Sequence, residues 1–94
     1  MKSDLITNNL YNNIKYLFML NGVKISEVEK AIGVSVGYFA RTRQNGNFDL
    51  PITKVVAIAE YFKIDIYQLV FGNFKKVYLE VQAEKINREL QEIQ

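Results

Sequence analysis

Cysteine and histidine are both missing from the 94 residues, and tryptophan with them. No disulfide, thiolate metal site or cysteine nucleophile is therefore available. The absence of histidine removes the commonest general base and the commonest metal ligand. Only carboxylates, lysines, arginines and hydroxyls remain for chemistry, and no nucleophile–base pair, phosphate-cradling glycine loop or metal-ligand cluster can be read among them. The chain is read as a non-enzyme without cofactor or metal. Glu27 and Glu29, two apart on a helix, do not face each other as a catalytic pair would. Long apolar runs are lacking too, far short of the roughly 20 residues of a membrane span. Met1-Lys2-Ser3-Asp4 is not the basic-then-apolar start of a signal peptide, so a cytoplasmic location is expected. Charge of one sign is also scarce: the net charge is +2, so any argument from charge rests on where the charges sit.

What the chain does have is 49% hydrophobic residues, enough for one modest core, spaced at helical intervals. Leu10, Ile14, Leu17 and Phe18 share one helix face, which Leu5 and Ile6 extend backwards. Asn8, Asn9, Asn12 and Asn13 are mediocre helix formers and blur the start of this helix, while Asn21-Gly22 ends it. A short second helix is predicted from about Ile25 to Ile32, with Ile25, Val28 and Ile32 inward and Glu27 and Lys30 outward. Gly33 stops it. Ser35 stands where an N-cap belongs, its hydroxyl positioned to accept from the amide of Gly37 or Tyr38. The third helix then runs from Val36 to about Gln44 with Phe39 inward, and Gln44-Asn45-Gly46-Asn47 is a loop by composition.

Pro51 suits the first turn of a fourth helix with Ile52, Val55, Val56, Ala59 and Phe62 inward. Asp65 and Gln68 have capping-box spacing and open a fifth helix that buries Ile66, Leu69 and Val70. Gly72-Asn73 closes this compact unit, residues 1–73. Residues 74–94 carry both signs of charge in equal number. There Leu79, Ala83, Ile86, Leu90 and Ile93 alternate at spacings of four and three, about two heptads of a coiled-coil seam. This segment is expected to dimerise, with folding back on its own domain, or binding another protein, as the alternatives.

The segment Ile25 to Arg43 is a short helix, a Gly33-Val34-Ser35 turn and a second short helix. A helix projected by such a turn fits the major groove of B-DNA. Through Val28, Ile32, Gly33, Val34, Ser35, Tyr38, Phe39 and Asn45-Gly46, the chain resembles the lambda-repressor-like (Xre) helix-turn-helix family. Ile58-Ala59-Glu60-Tyr61-Phe62-Lys63-Ile64-Asp65 followed by Leu69 is similar to that family's fourth and fifth helices, so the likeness covers roughly Asn8 to Phe71. It departs from the family at Glu29, where a small residue is usual, and at Ile25, where a phosphate-binding glutamine is common. Thr42 replaces an apolar branched residue, and Lys63 stands where a glycine commonly ends the fourth helix.

The resemblance implies an all-α, five-helix domain with an additional C-terminal helix, acting as a dimeric, sequence-specific DNA-binding regulator of repressor type. It implies base reading by Val36, Gly37, Ala40 and Arg41, of which Arg41 is suited to a guanine and Val36 or Ala40 to a thymine methyl. Tyr38, Arg43, Gln44, Asn45 and Lys24 are placed for phosphates. Two other readings stand beside it. Arg41 and Arg43 are also ordinary residues for a solvated helix, and Tyr38 for covering a core edge. Low net charge, Ile25 and the apolar Val36-Gly37 fit a helix-turn-helix protein-interaction module or an antitoxin-like protein.

Overall fold

The structure is a computed structural model that describes residues 3–43 and 50–93, with side chains described from Asn9 onward except that of Arg43. It is all-helical: α1 (Ser3–Asn21), α2 (Ile25–Ala31), α3 (Tyr38–Arg43), α4 (Ile52–Phe62), α5 (Ile66–Phe71) and α6 (Phe74–Ile93). Leu10, Ile14, Leu17 and Phe18 are buried, as their spacing requires. They form one core with Val28 of α2, Phe39 of α3, Leu50, the α4 residues Val55, Ile58 and Ala59, and Leu69 of α5. Phe18 is the hinge of its aromatic part, with ring centroids 5.8 Å from both Phe39 and Phe62. The side chains of Leu5 and Ile6 lie outside the described part.

Three helices end in the same way. After α1, α2 and α4 the chain turns left-handed at Gly22 (φ 62°), Gly33 (φ 81°) and Lys63 (φ 58°). The amide one residue further on bonds back to a carbonyl of the last turn: Val23 to Phe18, Val34 to Glu29, Ile64 to Ala59. Each is a Schellman closure, which satisfies carbonyls that a helix end otherwise leaves bare. Glycine adopts this conformation without a Cβ penalty; Lys63, the one non-glycine residue at positive φ among those described, does not.

Several inward assignments are corrected. On α4 the core face is Val55, Ile58 and Ala59, with Phe62 half-buried, whereas Ile52 and Val56 are exposed. The helix is apolar nearly all round, so periodicity alone could not choose its face. Pro51 occupies the cap position just before α4, and its carbonyl accepts from Lys54 and Val55. Ile25, 52% exposed in the first turn of α2, borders an open groove with Met19 and Phe18 rather than joining Val28 in the core. Ile66 is likewise exposed in the first turn of α5. Asp65 does cap α5, but through the amide of Tyr67 (2.8 Å) rather than that of Gln68.

Two of the asparagines that weaken α1 as an isolated helix tie the far end of the chain to it. Asn13 is buried; its Nδ2 donates to the carbonyls of Leu69 (2.7 Å) and Gly72 (3.0 Å), and its Oδ1 accepts from the amide of Phe74 (3.1 Å). Asn9 adds a bond to the carbonyl of Val70 (2.6 Å). One buried amide thus closes α5 and opens α6. Gly72 is needed for this sharp passage, because a Cβ there would lie 2.4 Å from the carbonyl oxygen of Gln68. From that tie α6 runs beside α1, packing through Phe74 and through Tyr78 against Tyr16, with ring centroids 5.3 Å apart. None of its residues is buried, and no described helix is long and apolar enough to cross a membrane.

Lys63→Gly is expected to raise stability by about 1 kcal/mol, since it relieves the left-handed strain while keeping the closing bonds from the amides of residue 63 to Glu60 and of Ile64 to Ala59. Thermal unfolding checks this, and an unchanged or lower midpoint would show that Lys63 is not strained.

Candidate nucleic-acid interface

The turn between α2 and α3 is shaped by two left-handed glycines, Gly33 and Gly37 (φ 88°). Because Gly37 is not helical, α3 starts at Tyr38, two residues later than its composition suggests. Val36 and Gly37 therefore precede the helix instead of forming its first turn. The expected cap is also corrected. The amide of Tyr38 bonds the backbone carbonyl of Ser35 (3.1 Å), and the Ser35 hydroxyl accepts from the Arg41 guanidinium.

The cap comes from α2 instead. Glu29 is 1% exposed, and its carboxylate spans the gap between the helices. Oε1 accepts from the amide of Gly37 (3.1 Å) and Oε2 from the amide of Phe39 (3.0 Å). Both oxygens thus serve amides that the start of a helix leaves without intrahelical partners. Bonds from amides to an ionised carboxylate are of the stronger, charge-assisted kind, and the helix dipole favours negative charge at this end. No buried side-chain polar atom among the described residues lacks a partner, so this polar contact inside the core is fully satisfied. The sequence signal was Glu29 itself, an acidic residue next to the inward-facing Val28.

With α3 fixed in this way, Val36 (73% exposed), Ala40 and Arg41 share an open surface, and Gly37 is half-buried behind them. Arg41 reaches forward along its own helix. Its Nη1 donates to the carbonyl of Val36 (3.1 Å) and its Nη2 to the Ser35 hydroxyl. Behind this surface Phe39 enters the core, and Thr42 turns its hydroxyl to the carbonyl of Phe39 (2.9 Å). Tyr38 is half-buried against the core edge, with its ring 5.8 Å from that of Phe39. Lys24 is exposed immediately before α2, and Lys15 lines the groove that Met19 and Ile25 border. The Arg43 side chain and the residues Gln44 and Asn45 lie outside the described part. Basic and apolar groups are thus mixed on this side of the molecule.

Compared with protein-family models, curated proteins and solved structures, the chain matches none.

Glu29→Ala strips partners from two amides at once, the buried one of Phe39 and the part-buried one of Gly37, and is expected to cost about 2–6 kcal/mol, at about 1–3 kcal/mol for each group left bare. Glu29→Gln, which keeps one accepting oxygen, should fall between that variant and the unaltered chain. A Glu29→Ala melting midpoint within a degree of the unaltered protein would show that the carboxylate does not hold α3.

Proposed function

We propose that the chain is a lambda-repressor-like helix-turn-helix protein, a sequence-specific DNA-binding transcription regulator of repressor type that grips a pseudo-palindromic operator as a dimer. The observation that carries this reading is the exposure of Ala40 and Arg41 on a short helix anchored from behind by Glu29, with Val36 exposed in the turn that leads into it. Such a helix enters the major groove with its N-terminal end leading, and each base pair there offers a distinct pattern of donors and acceptors. Arg41 reads a guanine through O6 and N7, and Val36 and Ala40 meet thymine methyls. Lys24 approaches phosphate, together with Tyr38, Arg43, Gln44 and Asn45. The left-handed turn is a second reason for glycine at position 37, beyond allowing a close approach to DNA.

The dimer is assigned to α6. Leu79, Ala83, Ile86, Leu90 and Ile93 are all exposed, and the helix buries none of its residues against its own domain. The helix touches its own domain through Phe74 and Tyr78 and leaves this stripe in solvent, so a partner laid along it buries apolar surface that the single chain exposes. Two copies joined there would offer their third helices to half-sites about 34–36 Å apart, one turn of the duplex. One set of observations favours a second reading, an interaction or antitoxin-like module. Val36, Ile25 and Met19 expose apolar surface next to the same helix.

Arg41→Ala is expected to lower affinity for the selected site by roughly 5- to 150-fold and to relax choice at one base pair, the equivalent of about 1–3 kcal/mol. Lys24→Ala should weaken all sequences alike and reduce the salt slope by about one. Titrations of specific and random duplexes at two salt concentrations separate the two effects; identical behaviour of both variants would contradict the assignment.

For the dimer, light scattering at micromolar concentration should report twice the 10.9 kDa chain mass. The pair Ile86→Glu and Leu90→Glu should return it to the single-chain value with the core intact. A monomeric unaltered protein would remove α6 from this role.

A further inference from the structure

Serine before a recognition helix is normally spent on capping it. In this chain Glu29 has taken that task, bonding the amides of both Gly37 and Phe39, and the Ser35 hydroxyl is left free for another partner. That partner is Arg41, six residues on, whose guanidinium also bonds the Val36 carbonyl. The guanidinium lies directly over Gly37: a Cβ built there would stand 3.0 Å from Arg41 Nη1. So the bare glycine does two things. It makes the left-handed turn, and it leaves room for the arginine.

We propose that Ser35, the Val36 carbonyl and the bare face of Gly37 form a seat for the Arg41 guanidinium, which makes Ser35 a positioning residue for base choice. This rests on the DNA-binding reading above. A guanidinium has five N–H groups, and the seat uses two of them. Three remain, enough for the paired bonds to O6 and N7 of a guanine. An arginine on an exposed helix otherwise samples many rotamers and loses that freedom on binding. In the seat its charged group is already drawn forward to the leading end of α3, the end that enters the groove first. Discrimination at that base pair therefore depends on a residue that need not touch the base.

The experiment is selection from random duplex DNA by the full chain and by Ser35→Ala, Ser35→Thr, Arg41→Ala and the Ser35→Ala/Arg41→Ala pair, with melting recorded for each. Expected for Ser35→Ala is an unchanged melting midpoint and a roughly three- to tenfold loss of preference confined to the base pair that Arg41→Ala also relaxes. Ser35→Thr, which keeps the hydroxyl, should restore the preference, and the double variant should be no more relaxed than Arg41→Ala alone. A selected motif that Ser35→Ala leaves untouched would overturn the seat while keeping the DNA reading. Failure of the unaltered protein to select any motif would overturn both. Side-chain nitrogen NMR of the free protein tests the seat without DNA. Arg41 should show hindered guanidinium rotation that Ser35→Ala releases, and free rotation in the unaltered chain would overturn it.

Discussion

A single carboxylate inside the core decides the shape of the surface that matters here. Glu29 belongs to α2, yet both of its oxygens are committed to amides at the start of α3. A buried carboxylate without such partners would be costly, and so would the buried Phe39 amide and the part-buried Gly37 amide without an acceptor. Each removes the other's penalty. The result is a strong directional contact between two helices of only seven and six residues, too short to persist on their own. The apolar contacts of Val28 and Phe39 hold the pair against the core, and the carboxylate sets how α3 leaves it.

The same economy operates at the other end of the chain. Asn13 takes over carbonyls from the last turn of α5 and supplies the acceptor for the first amide of α6. Both contacts use a polar side chain projecting from one helix to complete the backbone bonding of another. They divide the molecule into a core with two attachments: a short helix on one side for whatever lies in front of Arg41, and a long unburied one on the other.

Where local rules govern, the sequence was readable. The buried face of α1 follows from the spacing of Leu10, Ile14, Leu17 and Phe18, and the helix ends at Gly22 and Gly33 follow from glycine's freedom at positive φ. Lys63 takes up the left-handed turn where the family resemblance expects a glycine. What could not be read depends on partners distant in sequence. Ser35 has the right identity and place for a cap, but a capping rule looks only a few residues ahead, and Glu29 reaches from behind. Asn9 and Asn13 count against α1 on any scale of isolated helices, because such a scale knows nothing of carbonyls at Leu69, Val70 and Gly72. The exposed Ile52 and Val56 of α4 were indistinguishable from core in a helix apolar on most sides. The direction taken by the Arg41 side chain is a matter of rotamer, which no spacing encodes.

The bond from the Phe74 amide to Asn13 has a geometric consequence. Successive residues of an α-helix are turned by roughly 100° about its axis. Since the first amide of α6 is pinned to α1, the angular setting of every later residue is counted from that pin. Insertion or deletion of one residue between Tyr78 and Leu79 would leave the Tyr78 contact with Tyr16 in place yet swing the Leu79-to-Ile93 ridge by more than a quarter turn. Evolution could in this way redirect what α6 grips by changing chain length alone, without altering the chemistry of the ridge.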